Sequence, residues 1–173
     1  MSWTDFYQRR DAINLVLDQA SRNPSTGLSF TDLPMARAQF DSEEQLALAL
    51  QYKWSQLLLG RIGVALVEAE HDEDADNLEA VAAAWRRAAT EAPVLRELLD
   101  GYVEDAGPEF QAALAAEQRM VAYAAGLAEP GEAAEQTARV GSAFLALIRG
   151  RSARPTRRGN PIEQLLRRLV ASA

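Results

Sequence analysis

Residues 40–70 read FDSEEQLALALQYKWSQLLLGRIGVALVEAE, a marked helix start that opens at once into a long apolar run. Asp41 and Ser42 are each followed three residues later by a side chain, Glu44 or Gln45, that can reach back to the opening amides, so two capping boxes overlap just before Leu46. The segment predicts one helix over about 42–70, roughly 29 residues or about 43 Å at 1.5 Å per residue. Its apolar residues, from Leu46 and Trp54 to Ile62, Val64 and Val67, point in nearly every direction, as expected of a rod enclosed by other helices. Gly60 and Gly63 interrupt it at about 1 kcal/mol each relative to alanine, and a neighbouring helix crossing close to the backbone there is the expected compensation. Lys53 and Arg61 lie to one side with Leu57 between them, their heads either snorkelling outward or meeting a carboxylate from another helix.

Working outward, Trp3, Phe6, Tyr7, Arg10 (by its stem), Ile13, Leu17 and Ala20 recur at three and four residues, the signature of one helical face, and predict a helix over about 3–20. Asn23-Pro24 and Gly27 break it, and residues 21–40 form a long connection, with Pro34 opening a single turn over 34–39. Beyond the central helix, Asp76 and Glu79 offer another capping box, and the helix they start meets Pro93, which breaks or kinks it before an apolar face resumes as far as Gly101. Pro108 opens a further long helix that Pro130-Gly131 ends, and a last one carries Thr137, Val140, Phe144, Leu147 and Ile148. No alternating strand-like run occurs, so the expected fold is all-α: a single-domain antiparallel bundle of five to six helices around the segment 42–70.

Charge divides the chain. Residues 1–148 hold 11 of the 18 Lys+Arg and 24 of the 25 Asp+Glu, whereas residues 149–173 hold seven arginines against Glu163 alone. The expected organisation is therefore an acidic bundle, 1–148, and an arginine-rich arm, 149–173, whose residues 161–171 can form a short amphipathic helix opened by Pro161. A net charge of −7 argues against the body as a binder of nucleic acid or anionic membrane, leaving Arg151, Arg154, Arg157, Arg158, Arg167 and Arg168 as the candidate polyanion or partner contacts. The arm lacks interleaved aromatics, so nucleic-acid binding through it is expected to be unspecific and salt-sensitive. The chain has no cysteine, no basic segment leading an apolar stretch at its start and no membrane-length apolar run, from which a cytoplasmic location is expected.

Few residues suggest chemistry. Glu68 and His71 have the E-x-x-H spacing of di-iron bundles, but His71 is the only histidine and no second pair exists. Asp72, Asp74 and Asp76 match the start of a calcium loop that then fails at Asn77 and Ala83, where glycine and a bidentate glutamate belong. No nucleophile elbow or phosphate-cradling glycine loop is found, so the reading leans away from an enzyme and expects no cofactor and no metal.

The stretch Phe40-Asp41-Ser42-Glu43-Glu44-Gln45-Leu46 resembles the segment of TetR-like repressors that leads from the DNA-binding head into the helical effector domain. Upstream, residues 24–34 hold two prolines, a glycine and no basic residue, so the resemblance implies the effector half, a helical dimer with an internal pocket, and not the DNA-reading half. The leading expectation is a non-catalytic helical binding or assembly module. It forms a homodimer and engages a protein partner or a small apolar ligand, with Trp54, Trp85, Phe30 and Met35 lining a possible pocket. Its alternatives are an anionic-surface binder acting through the arm, nucleic acid or membrane being reached only that way, and the ligand-binding effector-type domain.

Overall fold

The computed structural model describes residues 3–22, 30, 33–72 and 75–152, the side chains of Thr4, Asp105, Arg151 and Ser152 excepted. The protein is all-helical. Seven α-helices follow one another among the described residues: α1 (Trp3–Arg22), α2 (Pro34–Gln39), α3 (Glu43–Ala69), α4 (Asn77–Glu91), α5 (Pro93–Tyr102), α6 (Pro108–Ala124) and α7 (Ala134–Ser152), with a 3-10 turn, Val103–Asp105, between α5 and α6. No helix among these residues is long and apolar enough to cross a membrane. The number exceeds the expected five to six because Pro93 separates α4 from α5 outright, taking the first position of the new helix where its missing N–H is no loss.

Helix starts follow local chemistry. Ser42 caps α3 by accepting from the Gln45 amide at 3.2 Å, and the Gln45 side chain returns to the Asp41 amide at 3.3 Å. Glu44, the other expected box partner, serves a different helix: its Oε1 accepts from the Phe110 amide at 3.3 Å, capping the start of α6, where Gly107 has no side chain to do so. Asp76 caps α4 through the Leu78 amide at 3.0 Å, while Glu79 turns to Arg86 at 3.1 Å and does not complete a box.

Two expectations about helix ends change. α6 stops at Ala124, six residues before Pro130-Gly131. Gly126, at φ 69, lets the chain turn back so that the Gly126 amide donates to Tyr123 O at 3.1 Å and the Leu127 amide to Ala122 O at 2.9 Å, a Schellman closure that needs a left-handed residue. α7 continues past residue 148 to Ser152, which seats Arg149 on the bundle although the charge count groups it with the arm.

The core runs along one side of α3 through Leu46, Leu50, Trp54, Leu58 and Ile62, and continues into Val81 and Trp85 of α4, Leu95 and Leu99 of α5, Phe110 and Val121 of α6, and Phe144 and Ile148 of α7. Among the described residues the central helix is thus covered by α4, α5 and α6 on one face and is not enclosed. Tyr52, Leu59, Val64 and Val67 stand in solvent on the other face. Gly60 and Gly63 are exposed, and among the described residues a Cβ at either meets nothing within 4 Å, so no described helix crosses there. The close crossing lies elsewhere: α7 approaches α6 so tightly at Gly141 that a Cβ would overlap the Gln118 carbonyl. The expected face of α1 also shifts. Ala12, Val16 and Ala20 are buried, but Trp3, Phe6 and Tyr7 project from an overhanging first two turns.

Candidate functional site

Three polar side chains are buried where α3, α5 and α6 meet, and each falls on the apolar stripe of its own helix. Gln51 follows Ala47 by four residues and precedes Leu58 by seven on α3; Arg96 sits between Leu95 and Leu99 on α5; Glu117 follows Phe110 by seven and precedes Val121 by four on α6. Helical register therefore drives all three inward, with Trp54 beside them. The Glu117 side chain has no solvent exposure. One carboxylate oxygen accepts from Trp54 Nε1 at 3.0 Å, and the other from Gln51 Nε2 in a short hydrogen bond.

Arg96 extends this node toward the surface. Its Nη1 lies 3.9 Å from the Glu117 carboxylate and its Nη2 lies 3.0 Å from Asp100, while its guanidinium stacks 4.9 Å over the Trp54 ring. Asp100 is shared with Arg149 of α7 at 3.5 Å, and Arg149 in turn lies 5.5 Å over Trp85. The two tryptophans meet edge to face at 6.0 Å and 75°. Acid and base thus alternate from the interior outward, Glu117, Arg96, Asp100, Arg149, along a floor of two indoles. Both Glu117 oxygens are occupied by donors and shielded from solvent, so what this node can do is fix the register of five helices against one another.

Of the residues singled out in the sequence, Trp54 and Trp85 come together as the floor of this node, wholly or almost wholly buried. Phe30 packs at the edge of the core, and Met35 is half exposed on α2. Arg151 lies in the last turn of α7 with its side chain outside the described residues, and Arg154, Arg157, Arg158, Arg167 and Arg168 lie outside them altogether. Of the two basic residues of the central helix, Arg61 meets Glu91 of α4 at 2.8 Å and Lys53 is exposed. His71 closes the end of α3 with Nδ1 2.7 Å from Val67 O, and among the described residues no three acidic or histidine side chains converge on a cation site. Gln51, Arg96, Asp100 and Glu117 were missed by motif reading. The available signal was positional: a glutamate and an arginine interrupting apolar stripes at i, i+3, i+4 spacing.

Among the described residues, two apolar areas stand out on the surface. One is the outer face of α3, with Tyr52, Leu59, Val64 and Val67 each about half exposed or more. The other is the start of α1, where Trp3 stacks on Tyr7 at 6.5 Å, Phe6 meets Tyr7 edge-on at 5.7 Å and Arg10 covers Tyr7 at 4.8 Å. Comparison of the chain with protein-family profiles, with curated proteins and with solved structures gave no significant match.

Proposed function

We propose that this chain is a non-catalytic helical assembly module, an antiparallel bundle that works by burying the outer face of α3 against another protein surface. The observation that supports it is the one-sided covering of that helix. Large apolar side chains, Tyr52, Leu59, Val64 and Val67, share the uncovered side with two glycines, and side chains of this size gain roughly 1.5–3 kcal/mol each when fully removed from water. The buried node from Glu117 to Arg149 supplies the rigidity such a face needs, since it ties α3, α5, α6 and α7 to one geometry.

The test is site-specific photocrosslinking in the cells that produce the protein. A benzoylphenylalanine in place of Tyr52 is expected to form protein adducts, whereas the same probe at Ala83, exposed on α4, is not. No adduct at position 52 overturns the reading.

A second reading rests on the charge division: an anionic-surface binder acting through Arg151, Arg154, Arg157, Arg158, Arg167 and Arg168. The effector-domain reading has less to support it, because ordinary capping by Ser42 and Gln45 accounts for the stretch 40–46 on which it rests.

A further inference from the structure

We infer that the outer face of α3 docks on the same face of a second copy of this chain, the two helices running antiparallel and crossing between Gly60 and Gly63. The inference rests on the assembly reading above and names its partner. Three observations carry it.

The first is the strip itself. Tyr52, Gln56, Leu59, Gly63 and Val67 follow one another at three or four residues, so they share one side of the helix, and all are exposed. The second is the glycines. Neither Gly60 nor Gly63 has a positive φ, and neither meets anything among the described residues that a Cβ would disturb, so nothing described within the chain accounts for two residues that cost the helix about 1 kcal/mol each. A backbone arriving from outside can come closest where side chains are missing.

The third is charge. A two-fold axis midway between Gly60 and Gly63 sets Gly60 against the partner's Gly63, Leu59 against the partner's Val64, Gln56 against the partner's Val67, and Lys53 against the partner's Glu70. Lys53 and Glu70 are exposed, and neither has an ion-pair partner among the described residues. Antiparallel docking thus puts a pair of opposite charges at each end of the seam. Parallel docking puts Lys53 beside Lys53 and Glu70 beside Glu70, which repels at both ends. The pairs lie about 13 Å to either side of the crossing point at 1.5 Å per residue, so they close only at a shallow crossing near 20°; at about 50° the helices diverge too far. The aromatics at the start of α1 already stack on one another. A two-helix seam is at the small end of specific interfaces, which places the association in the micromolar range.

The experiment is sedimentation of the full chain from about 1 to 500 μM at low salt. The wild type is expected to dimerise. Lys53→Glu alone and Glu70→Lys alone each raise the dissociation constant about ten-fold, because each turns two attractive pairs into repulsive ones, and the combined exchange restores it to within about two-fold. Gly63→Leu, which has open space in the single chain, keeps the helical circular dichroism and the melting transition but removes the dimer. A monomer at every concentration overturns the inference, as does a dimer indifferent to these substitutions or one lost only on Phe6→Ser. If Tyr52 crosslinks to a different protein while the chain sediments as a monomer, the partner named here is wrong and the assembly reading stands; if position 52 forms no adduct at all, both fall.

Discussion

Glycine shows at single-residue scale how the same residue type serves opposite ends. At Gly141 the obstacle to a side chain is the main chain of α6 at Gln118, which cannot swing aside. Gly141→Ala is therefore expected to lower the unfolding free energy by about 2–4 kcal/mol in urea titration, through forced separation of α6 and α7. A loss below about 0.5 kcal/mol would show that the two helices do not approach as described. Gly60→Ala and Gly63→Ala go the other way. Each fills open space in a helix interior and raises the stability of the single chain by up to about 1 kcal/mol, measured in dilute solution where self-association adds nothing. Among the described residues the close crossing falls at Gly141 and not at Gly60 or Gly63. The pattern along a chain reveals what a glycine costs its helix, but what stands opposite it is a property of the packed molecule.

Among the elements, the starts were legible and the faces only partly so. Ser42, Asp76, Pro93 and Pro108 mark helix beginnings because capping and proline stereochemistry act within four residues of chain. The end of α6 was misplaced because Gly126 closes it through a local turn ahead of the more conspicuous Pro130. Burial depends on neighbours that the periodicity of a single helix does not name: the apolar residues of α3 point in nearly every direction yet one side is exposed among the described residues, and Gln51, Arg96 and Glu117 are buried within otherwise apolar stripes. The node they form gives its own expectation. Glu117→Ala leaves the buried Arg96 guanidinium with Asp100 alone and strips the Trp54 and Gln51 donors of their acceptor, and should cost about 3–5 kcal/mol in chemical denaturation. Glu117→Leu combined with Arg96→Met should cost less than the sum of the two single changes by at least about 1 kcal/mol, since the pair is lost together and no charge is left buried alone. Additive losses would show that Arg96 and Glu117 are energetically independent despite their proximity.

For the whole molecule, the division of charge and the uncovered face of α3 are separable, and one truncation separates them. Every core residue named above lies between Ala12 and Ile148, and the last described helix runs to Ser152. A chain stopped after Ser152 loses five arginines and Glu163, which moves the net charge from −7 to −11 and removes most of the cationic cluster. Contacts with a polyanion scale with the number of basic side chains that displace counterions, so retention on a heparin matrix at low salt should fall to that of an ordinary acidic protein. The proposed dimer should survive, because Lys53, Gly60, Gly63 and Glu70 all remain. Its dissociation constant, measured by sedimentation, is expected to stay within about three-fold at physiological ionic strength, where screening over about 8 Å mutes the added negative charge of the two bodies. Loss of the dimer on truncation would transfer the assembly role from α3 to the arm. Retention on heparin by the truncated chain would instead move the polyanion contact onto a body whose own charge opposes it.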